Sequence, residues 1–158
     1  MQEYTQLTQT QMDLLARCKL DLVGLLPYES YMPSEISGGM QKRAAIARAM
    51  ALNPRILFLD EPSAGLDPIT SADLDQTIMD LSKNLGITFV IVSHELASIY
   101  AIADKVIMLD KAAKGIIAEG DPKVLRDTST DPRVHQFFNR IMSKDAAWAI
   151  TQTPITFA

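Results

Sequence analysis

Apolar residues recur at spacings of three and four over residues 12–22, with Leu14, Leu15, Cys18 and Leu22 on one side. That period predicts a helix. LVGLLPYESYMPSE breaks the period at Pro27 and Pro33 and reads as a loop. An Ala-rich helix is expected from Gly38 to Leu52, stopped by Asn53-Pro54. The pattern then changes. RILFLD (55–60) is an almost unbroken apolar run, too short for a helix and suited to a strand buried on both faces. ITFVIVS (87–93) repeats it, KVIMLD (105–110) gives a third strand and residues 115–119 a fourth, edge-like one. Between the first two runs, Leu74, Ile78, Leu81 and Leu85 fall on one helix face, with Thr70 or Ser71 as the cap and Gly86 as the stop. Short helices are expected over 95–103, from Asp121-Pro122 and over 131–138. Strands alternating with helices predict an α/β fold with a largely parallel sheet.

Composition narrows the function classes. The 158 residues carry 15 basic and 19 acidic side chains, a formal net charge of -4, which argues against a nucleic-acid binder. The single cysteine, Cys18, excludes an internal disulfide, fits a reducing compartment and reads as a small half-buried thiol. MQEYTQLTQT has no basic region followed by an apolar core, and no apolar run reaches the ~18–20 residues that span a bilayer. The expectation is a cytosolic chain that reaches a membrane only through another subunit.

The chemistry gathers at strand ends. In open α/β sheets, ligands bind beyond the carboxyl ends of the strands. RILFLD delivers Asp60 and Glu61 there, and ITFVIVS delivers Ser93 and His94. An aspartate at such an edge can hold Mg²⁺, and the next carboxylate can orient and deprotonate an attacking water. SEISGGMQKR (34–43) adds Ser37, Gly38 and Gly39 at a helix start, where backbone N–H groups and the helix dipole favour an anion. Alone, each piece has an ordinary structural use: a strand and turn, a satisfied polar histidine, a flexible N-cap.

Together they form an ordered set. ISGGMQKRAAIARAMALNPRILFLDEPSAGLDP…VIVSHE closely resembles the ATP-binding-cassette (ABC) ATPase family. ISGGMQ resembles its signature motif, ILFLDEP its Walker B segment with the catalytic glutamate, SAGLDP its D-loop, and His94 of VSHE its switch histidine. Ile36 in place of Leu, and Met40 before Gln41, depart from the commonest signature without touching Ser-Gly-Gly. The resemblance covers residues 13–138 and implies a partial P-loop NTPase (RecA-like) core with part of the ABC helical subdomain. By that resemblance Asp60 serves Mg²⁺, Glu61 is the general base and His94 contacts the γ-phosphate of ATP. Ser37, Gly38, Gly39 and Gln41 meet a nucleotide held mainly by the other protomer. Ser63, Ala64, Gly65, Leu66 and Asp67 cross the dimer interface.

The expected organisation is residues 1–53 as part of the helical subdomain, 54–140 as the C-terminal part of the ATPase core, and 141–158 as a tail. No G-x-x-x-x-G-K-[ST] run occurs; GIIAEG (115–120) has one glycine spacing but is followed by Asp121-Pro122, and reads as a strand and turn. The expectation is therefore that this chain alone binds MgATP very weakly and hydrolyses it negligibly. SGGMQKRAAIARAMALNP, SAGLDPITSADLD and DPRVHQFF further resemble the ATPases of lipid-handling transporters of the Mla and Mce-associated kinds, including toluene-tolerance systems. That resemblance implies a second ATPase protomer, an integral-membrane permease, and phospholipid or other lipid as cargo. In DPRVHQFF, Val134, Phe137 and Phe138 are expected to pack inward and His135 to be exposed. Two other readings stand beside this one: a non-catalytic truncated cassette that only dimerises, and a soluble ABC ATPase outside transport. Both retained residues, Glu61 and His94, oppose the first, and the compact acidic chain opposes the second.

Overall fold

The computed structural model describes residues 6–139; the expected tail at 141–158, with Trp148, lies outside them. The chain divides into two compact units at Ser98/Ile99.

In the first unit, α1 (Gln9–Leu22) starts from a capping box in which Thr8 and Gln11 satisfy each other's backbone and side chain. The stripe it buries is not the one anticipated. Leu14, Cys18 and Leu22 are exposed, and the inward positions are Met12, Leu15, Ala16, Lys19, Leu20 and Val23. This is a regular three-and-four stripe, turned from the predicted face. Lys19 occupies it because its stem lies along the apolar surface while Nζ reaches out to donate to Asn53 Oδ1 at 2.6 Å. One-turn helices at Leu26–Tyr28 and Pro33–Glu35 lead to α2 (Gly38–Ala49), which packs on α1 and buries Gly39, Ile46 and Ala47.

Strand β1 (Ile56–Asp60) runs parallel to β2 (Thr88–Val92), with Asp60 opposite Val92. Between them α3 (Pro68–Leu85) turns Leu74, Ile78 and Leu81 inward. Full burial of each such side chain is worth roughly 1.5–3 kcal/mol, so this face anchors the unit. Leu85, expected on it, is exposed at the last turn. Gly86 closes α3 in the left-handed region at φ 65°, where only glycine is free of Cβ strain.

The helix does not start where its sequence suggested. Asp67, not Thr70 or Ser71, is the N-cap: its carboxylate accepts from the N–H groups of Ile69 and Thr70, both at 3.0 Å. Pro68 takes the first helical position, where its missing N–H costs nothing.

The two strands are not buried on both faces. Leu57, Leu59, Phe89 and Ile91 are wholly or partly buried, whereas Ile56, Phe58, Val90 and Val92 are exposed, Phe58 by 76%. The parallel register places those four exposed side chains on a common face. Among the described residues no element covers them.

Helix α4 (Leu96–Ile102) carries the chain across the boundary between the units. In the second unit β3 (Val106–Asp110) and β4 (Gly115–Gly120) form an antiparallel pair with an irregularity at Met108/Leu109. The α/β class holds, with one parallel and one antiparallel pair among the described residues. Asp121 caps α5 (Pro122–Thr128), and α6 (Pro132–Asn139) buries Val134 and Phe138. Phe137 is half-buried and His135 exposed. Arg133 ties α6 to the hairpin: Nη1 donates to Asp110 Oδ1 at 2.7 Å, while the same guanidinium holds Asp131.

Candidate functional site

Parallel pairing puts the carboxyl ends of β1 and β2 side by side. The Glu61 N–H donates to Val92 O at 2.9 Å, extending the ladder one step past the strand. Glu61 then turns the chain with φ 45°. A left-handed conformation in a residue with a side chain costs about 1–2 kcal/mol, and here it sits on a candidate catalytic carboxylate. The consequence is geometric: Glu61 Oε1 lies 2.6 Å from His94 Nδ1.

The two environments differ. The His94 side chain is 80% exposed and that of Glu61 32%. The Glu61 hydrogen bond, with its negative charge, raises the His94 pKa above 6.5; the more distant charge of Glu95 adds to this, against slight desolvation. The protonated form is thus easier to reach than in a free imidazole, and in it Nδ1–H donates to the carboxylate. Ser93 Oγ accepts the Glu95 N–H at 3.1 Å and shapes the turn that presents His94.

Asp60 ends β1 with an exposed side chain. Among the described residues no group of three His, Cys, Asp or Glu could hold a metal ion. A single open carboxylate beside Glu61 still fits Mg²⁺, which keeps most of its water and takes one or two carboxylates together with phosphate oxygens.

The Ser-Gly-Gly segment forms a second group. Ser37 is the N-cap of α2, its Oγ accepting the Met40 N–H at 3.3 Å. Gly38 is exposed and offers its N–H at the positive end of the helix; Gly39 is buried. Burial has a direct cause. A Cβ at Gly39 would stand 2.3 Å from Thr70 Cγ2, whereas one at Gly38 would meet Leu66 Cδ2 at 3.6 Å, an ordinary contact. The second glycine is thus required by the approach of α3, a reason the sequence did not reveal. Gln41 Nε2 donates to Pro33 O at 2.9 Å and Ile36 O at 3.2 Å, so its amide braces the loop entering the signature-like segment.

In the connecting loop Ser63 is buried and Gly65 turns at φ 81°. Asp67 is fully engaged: besides the two N–H groups, it accepts Thr70 Oγ1 at 2.5 Å. These bonds hold its carboxyl below the usual range, the Thr70 hydroxyl contributing most. Thr70 was not among the residues expected to act. The Asp-Pro pair at 67–68 signalled the cap, and with it the threonine three positions on.

The fold is one that known proteins share. The ABC transporter family profile matches residues 6–64. A nucleotide-free ATP-binding cassette from an ABC transporter superposes with TM-score 0.74 at 27% identity, over 86% of this chain and 52% of that one. By these matches the chain is similar to the ATP-binding cassettes of ABC transporters. More particularly, it is similar to the intermembrane phospholipid transport system ATP-binding protein MlaF of Escherichia coli (strain K12), at 43% identity over 89% of this chain and 51% of MlaF. It is also 40% identical to the probable ribonucleotide transport ATP-binding protein mkl of Mycobacterium leprae, over 88% of this chain and 39% of mkl. The chain spans about half or less of the length of these curated relatives.

Proposed function

We infer that this chain is part of the ATP-hydrolysing subunit of an ABC transporter that moves phospholipid or a related lipid across the bacterial envelope. The observation that carries the reading is the Glu61–His94 pair at 2.6 Å on adjoining strand ends, a carboxylate and an imidazole aimed at one place. Similarity to MlaF supports the lipid cargo; similarity to mkl, a probable ribonucleotide transport protein, favours a nucleotide cargo instead. Either way the energy source is the same.

In this reading Glu61 takes a proton from the attacking water. While Oε1 is held by the imidazole it is not open to that water. Movement of His94 onto a γ-phosphate frees it, so base and phosphate contact become available together. Asp60 would hold Mg²⁺, which supplies charge stabilisation at the phosphates when bound. Ser37 and Gly38 offer donors to a nucleotide on a second protomer, with Gly39 and Gln41 supporting them and residues 63–67 lining the interface. The partners are that protomer and an integral-membrane permease, and the location is the cytoplasmic face of the membrane.

No phosphate-cradling G-x-x-x-x-G-K-[ST] segment occurs in the sequence, and that loop cradles the phosphates in P-loop proteins. The chain alone is therefore expected to bind MgATP very weakly and turn it over negligibly. Calorimetric titration of MgATP into the wild type and Glu61→Gln tests this. Absence of binding fits a site completed by other chain segments. Low-micromolar binding would overturn the account of how the phosphates are held. Restoration of ATPase activity by a P-loop-bearing segment, abolished by Glu61→Gln, would support the catalytic reading over a purely dimerising module.

A further inference from the structure

Thr70 touches both groups implicated in nucleotide recognition yet contributes to neither motif. Its hydroxyl donates to Asp67 Oδ2 at 2.5 Å, and its methyl fills the space that a side chain at Gly39 would need. The two contacts lock each other. Rotating Thr70 to relieve the methyl contact breaks the hydroxyl bond, because a β-branched side chain has few χ1 choices in a helix. Leu66, one residue before Asp67, lies against Gly38 in the same junction. The Asp67 carboxylate, with three donors, is held in place by α3 itself.

We propose that Thr70 is a positioning residue that joins the Ser-Gly-Gly turn to the 63–67 loop, so that both are presented to a partner's nucleotide as one rigid unit. The functional consequence rests on the ATPase reading above; the joint itself does not, and is testable in the nucleotide-free chain. The sequence carries no hint of it beyond spacing, because the contact links residues 31 positions apart through the absence of a side chain.

The decisive experiment is a rescue. Gly39→Ala is expected to lower the urea midpoint, and adding Thr70→Ser, which removes the methyl but keeps the hydroxyl, to restore most of the loss. Thr70→Ser alone should move the midpoint little. Losses that simply add would overturn the joint. A spectroscopic arm separates positioning from mere stability. In the wild type, titrating the Asp67 carboxyl should shift the Gly39 and Met40 amide resonances. In Thr70→Ser the carboxyl should titrate as before while those amide shifts collapse. In Thr70→Val, which keeps the methyl, the Asp67 titration should move to higher pH. Gly39 and Met40 amides that respond equally in wild type and Thr70→Ser would sink the proposal. A failure of nucleotide binding in a completed cassette, with the rescue intact, would instead count against the ATPase reading.

Discussion

At the scale of single residues, two titratable groups carry opposite lessons. His94 is raised above 6.5 by the Glu61 hydrogen bond and charge, so the folded state binds its proton more tightly than the unfolded chain does. The stabilisation is therefore complete below pH ~6.5 and is lost as pH rises through the elevated folded value. It is small, because the imidazole is largely in water. Its use is as a marker: proton NMR should find His94 titrating above the ordinary value, and Glu61→Gln should bring it back down. An unchanged titration in that variant would mean the pair is not formed in solution. Asp75 is the reverse case. It is buried on α3, burial pushes its carboxyl up, the Ser98 hydroxyl pulls partly against this, and the charge of Glu95 adds to the rise. A folded pKa above the unfolded one makes this acid a cost that grows as pH rises through 3.8 towards the folded value. Asp75→Asn, nearly isosteric, should raise the neutral-pH denaturation midpoint and lose that advantage in acid. Nothing in the motif order pointed to Asp75; its burial depends on helix packing that no local pattern encodes.

At the scale of elements, the existence and order of the helices and strands were legible because the apolar period changes from three-and-four to continuous at Arg55 and again at Ile87. The carboxyl-end placement of Glu61 and His94 was legible for the same reason. What failed were faces and caps. The α1 stripe differs from the predicted one because Ala16 and Lys19 belong to it and two leucines do not. The α3 cap lies three residues before the predicted one because Asp67-Pro68, which resembles a loop, is itself a start signal. Replacing that cap, as Asp67→Ala, should destabilise the chain by about 1 kcal/mol or somewhat more, measurable by denaturant titration. The two glycines of α2 give a sharper test, because propensity and sterics there act in opposite directions. Alanine is favoured over glycine by about 0.8–1 kcal/mol in a helix interior and by less in the first turn, where these two stand. At Gly38 the nearest atom is 3.6 Å from an added Cβ, so propensity decides and Gly38→Ala should be neutral or slightly stabilising. At Gly39 the distance is 2.3 Å to a pinned methyl, so sterics decide and Gly39→Ala should destabilise. Equal effects at the two positions would show that the close approach of α3 is absent.

At the scale of the whole molecule, the apolar strand runs that revealed the α/β class also create its principal liability. A run such as ILFLD looks the same whether one face of the strand or both will be covered, so sequence alone predicted burial on both. In the first unit Leu57 and its inward neighbours are covered, while Ile56, Phe58, Val90 and Val92 stand on one open face. Contiguous apolar patches above a few hundred Å² (~300–600 Å² is the usual largest on a monomer) mark surfaces that associate. Left open, the face should drive concentration-dependent self-association, which sedimentation velocity would register as a weight-average mass above the chain's 17.4 kDa. Phe58→Thr combined with Val92→Thr places β-branched residues suited to strands and removes the two most exposed apolar side chains of that face. The double variant should shift the distribution towards monomer while leaving the His94 titration unchanged, because the pair beyond the strand ends does not use either side chain. A wild-type chain that stays monomeric at high concentration would refute this account of the open face. A double variant that associates as strongly as the wild type would move the cause to the unpaired edges of β1 and β2, where strand addition rather than side-chain burial sets the contact.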